Sequence, residues 1–140
     1  MERVDFYLVD ESLSPQQFAC RLVNKAFNAG LTIRIEMDTA EQVQQLDTLL
    51  WEYRSDWFIP HDIGMNENGV ASFIHVADLP RQSSPADMLL NLASTAPDNS
   101  ESYQRIAEIV PDNPAERQPM RERFRYYKEL GHTPNYHPIS

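Results

Sequence analysis

Apolar positions along this chain recur in two periods, and each change of period marks an element. Val4 to Val9 is an apolar, β-favouring run, interrupted only by Asp5 and closed by Asp10 and Glu11, the pattern of a strand covered on both faces. Ser14 then supplies an N-cap and Pro15 a first-turn proline. Behind them Phe18, Leu22 and Ala26, flanked by Ala19, Val23 and Phe27, keep helical spacing up to Gly30. Thr32 to Met37 reads as a short β-branched strand, and Thr39 with Gln42 three positions on begins a second helix like a capping box. Val70 to Val76, Met88 to Ala93 and Arg105 to Val110 read as further strands. Asp62 to Gly69 (DIGMNENG), Pro80 to Pro85 and the surroundings of Pro97 read as polar turns or loops. Helical periodicity returns from Pro114 to Leu130, with Gly131 as its stop.

This order of strand, helix, strand and helix predicts parallel strands joined by crossovers. The expected fold is α/β: one domain over residues 1–131, with an open, mostly parallel, Rossmann-like sheet flanked by helices. Residues 132–140 (HTPNYHPIS) are expected to form a short tail that frays unless Tyr136 docks. Open sheets of this kind bind ligands at the carboxyl ends of their strands, where Asp10 and Asp38 would stand. Neither aspartate leads into a glycine-rich loop, so no phosphate cradle is expected there.

Two stretches exceed what a core requires. In LDTLLWEYRSDWFIPH, Leu46 to His61, the residues Leu46, Leu49, Leu50 and Tyr53 share one helical stripe and Trp51 lies a step off it. Trp57, Phe58, Ile59, Pro60 and His61 follow at the junction to the next strand. Such a cluster is either an exposed aromatic platform of the kind interfaces use or a set of rings filling the core beneath the helix. In the last helix Met120, Phe124 and Tyr127 form an apolar stripe, and Arg117, Arg121, Arg125 and Lys128 run along an adjacent side. Guanidinium groups beside aromatic edges can hold a carboxylate while an apolar side chain enters next to it. The plainer alternative is a solvated helix face with basic residues near its carboxyl end.

Composition narrows the classes. The chain has 140 residues, 41% hydrophobic and 24% charged, enough for one core without staples. A single cysteine, Cys20, excludes an internal disulfide framework and suits a reducing compartment. The apolar run near the amino terminus is too short for a signal-peptide core or a membrane span, so a cytoplasmic protein is expected. A net charge of −9 opposes general affinity for nucleic acid. Five of the twelve Lys and Arg residues nevertheless fall between 117 and 128 against Glu122 alone, a local +4 that suits a small anionic partner.

Catalytic signatures are sparse. His61 neighbours Asp62, but adjacent side chains point apart and no second histidine lies at ligand spacing, so no metal site is expected. No nucleophile elbow and no Walker-type loop occurs, and no cofactor is implied. The acidic residues Glu41, Asp47, Glu52 and Asp56 read as solvated faces.

The opening FYLVD, the helix end LDTLLW, the segment WFIPH and the closing helix RERFRYYKELG, in this order and at these separations, resemble the chi subunit of bacterial DNA polymerase III. The resemblance spans nearly the whole chain. It implies a non-catalytic accessory protein of the holoenzyme, monomeric alone and heterodimeric with the psi subunit, through which it attaches to the clamp loader. A separate surface would bind the acidic carboxyl-terminal tail of single-stranded DNA-binding protein. By position, Trp51, Phe58, Pro60 and His61 match the psi-facing segment, and Arg121, Phe124 and Arg125 match the tail-binding helix. Phe124 and Arg125 stand where well-known members carry Tyr and Lys, and the loops at 62–70 and around Pro97 match less closely. Two alternatives remain beside it: direct binding of single-stranded nucleic acid by the basic helix, and a small enzyme using the sheet edge near Asp10 and Asp38.

Overall fold

In the computed structural model, which describes residues 2–52, 59–76 and 86–139, the strands assemble into one seven-stranded mixed sheet. Along the chain lie β1 (Arg3–Val9), α1 (Pro15–Asn28), β2 (Ile33–Glu36), α2 (Ala40–Glu52), β3 (His61–Met65) and β4 (Ala71–Val76). They are followed by β5 (Met88–Asn91), a 3₁₀ turn at Ser100–Ser102, β6 (Arg105–Pro111), α3 (Pro114–Glu129) and β7 (Asn135–Ile139). The spatial order is β3-β4-β2-β5-β6-β1-β7. From β2 to β7 all neighbours pair in parallel, while β4 and β3 form an antiparallel hairpin at one edge. The molecule is thus a single α/β domain with an open, mostly parallel sheet.

The two faces of the sheet carry separate cores because strand residues alternate sides. On one face Val9, Ile33, Ile35, Ile74, Val76 and Leu90 pack against Ala19 and Val23 of α1 and Val43, Leu46 and Leu50 of α2. On the other, Val4, Phe6, Leu89, Ile106 and Val110 pack beneath Tyr127 of α3. The helix starts follow their local signals. Ser14 Oγ accepts from Gln17 N at 3.2 Å, Thr39 Oγ1 from Gln42 N at 3.2 Å, and Asn113 Oδ1 from Glu116 N at 3.2 Å.

Two sequence expectations are corrected here. The turn expected over Asp62–Gly69 is confined to its second half, since His61–Met65 is a strand paired with β4. Gly64 permits that pairing because the Phe73 ring crosses the space a Cβ would occupy. The turn proper is built by Asn66, whose Oδ1 accepts from Asn68 N at 2.9 Å and Val70 N at 3.1 Å.

The carboxyl-terminal residues expected to fray are the edge strand β7, in parallel register with β1. Side chains that a local reading cannot pair hold it there. His137 Nε2 lies 2.8 Å from Asp5 Oδ1 and its ring stacks on Tyr7 at 5.0 Å, while Arg3 Nε holds the other Asp5 oxygen at 2.8 Å. Asp10 N donates to Ile139 O at 2.9 Å, so the backbone of Ile139 faces β1 and that of Pro138 faces outward, where its missing N–H costs no ladder bond.

Candidate functional site

Two separate flanks of the sheet hold the residues singled out by sequence. The first lies where α2 meets β3. α2 turns Val43, Leu46 and Leu50 into the core, which leaves Trp51, one residue on, 49% exposed. Ile59 is anchored in the core and hands the chain through half-buried Pro60 to His61. The His61 imidazole is enclosed, with Nδ1 2.7 Å from Ile59 O and Nε2 3.1 Å from Asp47 Oδ1. The Trp51 ring lies over it at a centroid separation of 4.1 Å. Trp51, Pro60 and His61 are therefore brought together as an aromatic shelf, and Phe58 and Trp57 lie outside the described residues.

Asp47 belongs to this shelf and not to a solvated face, a correction to the sequence reading. The missed signal was its position one helical turn before Trp51, on the same side of α2. His61 pairs with Asp47 across the junction and not with its chain neighbour Asp62.

The second flank is α3. Tyr127 is buried, and Phe124 packs half-buried on Phe6 with ring centroids 5.4 Å apart. Met120, Arg121, Phe124, Arg125 and Lys128 line a surface groove of about 470 Å³, closed on its far side by Tyr136 of β7. A second hollow of about 280 Å³ continues it toward the start of α3, sharing Met120, Arg121 and Tyr136 and adding Arg117. Among the described residues Arg117, Arg121, Arg125 and Lys128 make no ion pair, so their charges are available to a ligand. The predicted set Arg121, Phe124 and Arg125 thus lines one groove, and Tyr136 is the groove residue that sequence reasoning did not assign.

Arg123 departs from its basic neighbours. It is only 3% exposed and points inward, with Nε 3.0 Å from Glu108 Oε1 and Nη1 donating to Ser94 O at 2.7 Å. The Nε contact is an ion pair without hydrogen-bond alignment. Tyr127 Oη donates to Glu108 Oε2 at 2.6 Å, and Asn91 Nδ2 reaches both carboxylate oxygens at 3.0 Å. Burial pushes the Glu108 carboxyl up, against the pull of Arg123, Tyr127 and Asn91. The local positive charge read from the sequence therefore includes one cation that is internal.

At the carboxyl edge of the strands, Asp10 is occupied within its own loop and Asp38 by the loop that follows β5. Asp10 accepts from Ser12 N at 2.9 Å and Ser12 Oγ at 2.8 Å, which holds its carboxyl below the usual range. Asp38 accepts from Ser94 N at 3.0 Å and Ser94 Oγ at 3.2 Å. A hollow of about 160 Å³ lies beside Asp38, lined also by Gln42, Glu116 and Arg123. Among the described residues no helix is long and apolar enough to cross a membrane.

Fold and surfaces together define a small Rossmann-like α/β protein whose distinguishing side chains lie on two flanks of the sheet. Residues 1–135 match the family described as "DNA polymerase III chi subunit, HolC", and the chain belongs to that family. It is 35% identical over 135 residues to the DNA polymerase III subunit chi of Pseudomonas aeruginosa, covering 94% of this chain and 93% of that relative. Identity to the subunits of the same name is 27% over 138 residues in Escherichia coli, covering 94% of each chain, and 26% over 129 residues in Haemophilus influenzae, covering 90% of each. Membership makes the protein an accessory component of DNA polymerase III.

Proposed function

We propose that this subunit is a two-sided adaptor with no catalytic centre of its own, acting in the cytoplasm. The shelf of Trp51, Pro60 and His61, together with Phe58, which lies outside the described residues, takes the psi subunit and so joins the clamp loader. The α3 groove, through Arg121, Phe124 and Arg125, takes the acidic carboxyl-terminal tail of single-stranded DNA-binding protein. The protein is a monomer alone and a heterodimer with psi.

One observation carries the reading. On a chain of net charge −9, Arg121, Arg125 and Lys128 surround an apolar groove with no ion pair among the described residues. An acidic peptide ending in an apolar residue supplies what those groups lack, carboxylates for the cations and a side chain for the groove. Because His61 is enclosed, its part on the other flank is to support Trp51 from beneath.

The test is a pair of variants measured against both partners. Arg121→Glu or Arg125→Glu is expected to abolish binding of the acidic tail peptide and leave psi co-purification intact, and Trp51→Ala to do the reverse. Equal damage to both interactions by both changes would refute the two-surface arrangement. Tight binding of bare single-stranded DNA at moderate salt would transfer the groove's role to nucleic acid.

A further inference from the structure

The far wall of the α3 groove comes from the last strand. Tyr136 is 50% exposed and lines both hollows, opposite Met120 and Phe124. Among the described residues it makes no ring contact with Phe124, so the two aromatic surfaces border an open space. The family match ends at residue 135, one position short of this tyrosine.

The wall is held in place. β7 pairs with β1 over Asn135–Ile139, and the residue after Tyr136 is His137, tied to Asp5 at 2.8 Å and stacked on Tyr7. Asp5 is itself buried and fixed by Arg3 at 2.8 Å. An edge strand without such ties would let Tyr136 wander, and the groove would lose one side.

We propose that Tyr136 is a binding residue of this groove. Its ring packs on the apolar carboxyl-terminal side chain of an acidic peptide, against Phe124, while Arg121 and Arg125 take the carboxylates. His137 and Asp5 act as positioning residues for β7. The proposal rests on the tail-binding role assigned to the groove above. Charge alone would accept any acidic chain, so Tyr136 supplies selectivity for the terminal side chain.

The experiment uses the full chain and two labelled probes, peptides of consecutive aspartates with a free carboxylate, one ending in phenylalanine and one in glycine, followed by fluorescence anisotropy. Wild type is expected to prefer the phenylalanine-ended peptide. Tyr136→Ala should weaken that peptide by about tenfold and leave the glycine-ended one unchanged, while Tyr136→Phe keeps the preference. Tyr136→Glu should abolish binding of both by repulsion. His137→Ala should lower the preference in the same selective way, and adding it to Tyr136→Ala should cost nothing further. Thermal unfolding of each variant monitors the fold.

Tyr136→Ala binding both peptides like wild type, or losing both in equal proportion, overturns the proposal while leaving tail binding standing. A wild-type chain that binds neither peptide overturns both.

Discussion

Arg123 and Glu108, on α3 and β6, lie 3.0 Å apart in the interior, and this pair sets how α3 sits on the sheet. Four basic residues of the helix stay outside and one turns in, because β6 presents a carboxylate on the face that α3 covers. With Arg123 inward, Arg121 and Arg125 fall on the groove side. Removing one partner leaves a buried charge uncompensated, so Arg123→Met is expected to cost about 3–5 kcal/mol in urea unfolding. The double change Arg123→Met with Glu108→Leu should recover much of that loss, since neither charge is then stranded.

Glu108 also gives stability a pH signature. Burial raises its carboxyl above the ordinary Glu value of 4.5 in spite of its three partners. The folded protein therefore retains a proton that the unfolded chain has released, and stability falls as pH rises from 4.5 toward the raised value. Glu108→Gln removes this contribution. The difference in unfolding free energy between wild type and the variant should decline across that window and level above it, and a flat difference would contradict the assignment.

Cys20 provides a probe of global opening. Burial in α1 pushes its thiol up to about 12, so the reactive thiolate is scarce at neutral pH. Labelling by a thiol reagent is expected to proceed only through unfolding, with a rate that follows denaturant-induced opening. Fast labelling of the native protein would contradict this burial.

Gly64→Ala tests the hairpin that carries the aromatic shelf. The added methyl would meet the Phe73 ring on the neighbouring strand, an overpacking cost of about 1–3 kcal/mol. The strain falls on β3, whose first residue is His61, so psi co-purification should weaken while binding of the acidic peptide at α3 is retained. The reverse pattern would separate the shelf from the hairpin.

The groove contact should depend on salt more steeply than the psi contact does. Arg121, Arg125 and Lys128 are exposed and act through water, where added ions screen them. Raising salt from low to about 0.5 M is expected to weaken the peptide by an order of magnitude or more, with affinity at moderate salt in the micromolar range. Salt-insensitive peptide binding would point to a purely apolar contact.

Much of this was legible locally. The run Val4–Val9, the caps at Ser14 and Thr39 and the helical stripes are decided by neighbours within a few residues, and each of these elements formed close to where its residues placed it. The surplus of Trp51 over its buried stripe and the file of Arg121 and Arg125 were visible for the same reason. Tertiary structure alone decided what depends on partners far away in the chain. It turned Arg123 inward to meet Glu108, and Asp47 toward His61 across the α2–β3 junction. It also made a strand of the last residues by joining His137 to Asp5, 132 positions apart in sequence. Periodicity reports which side of an element is apolar, whereas a pairing between distant charges exists only once the sheet has brought them within reach.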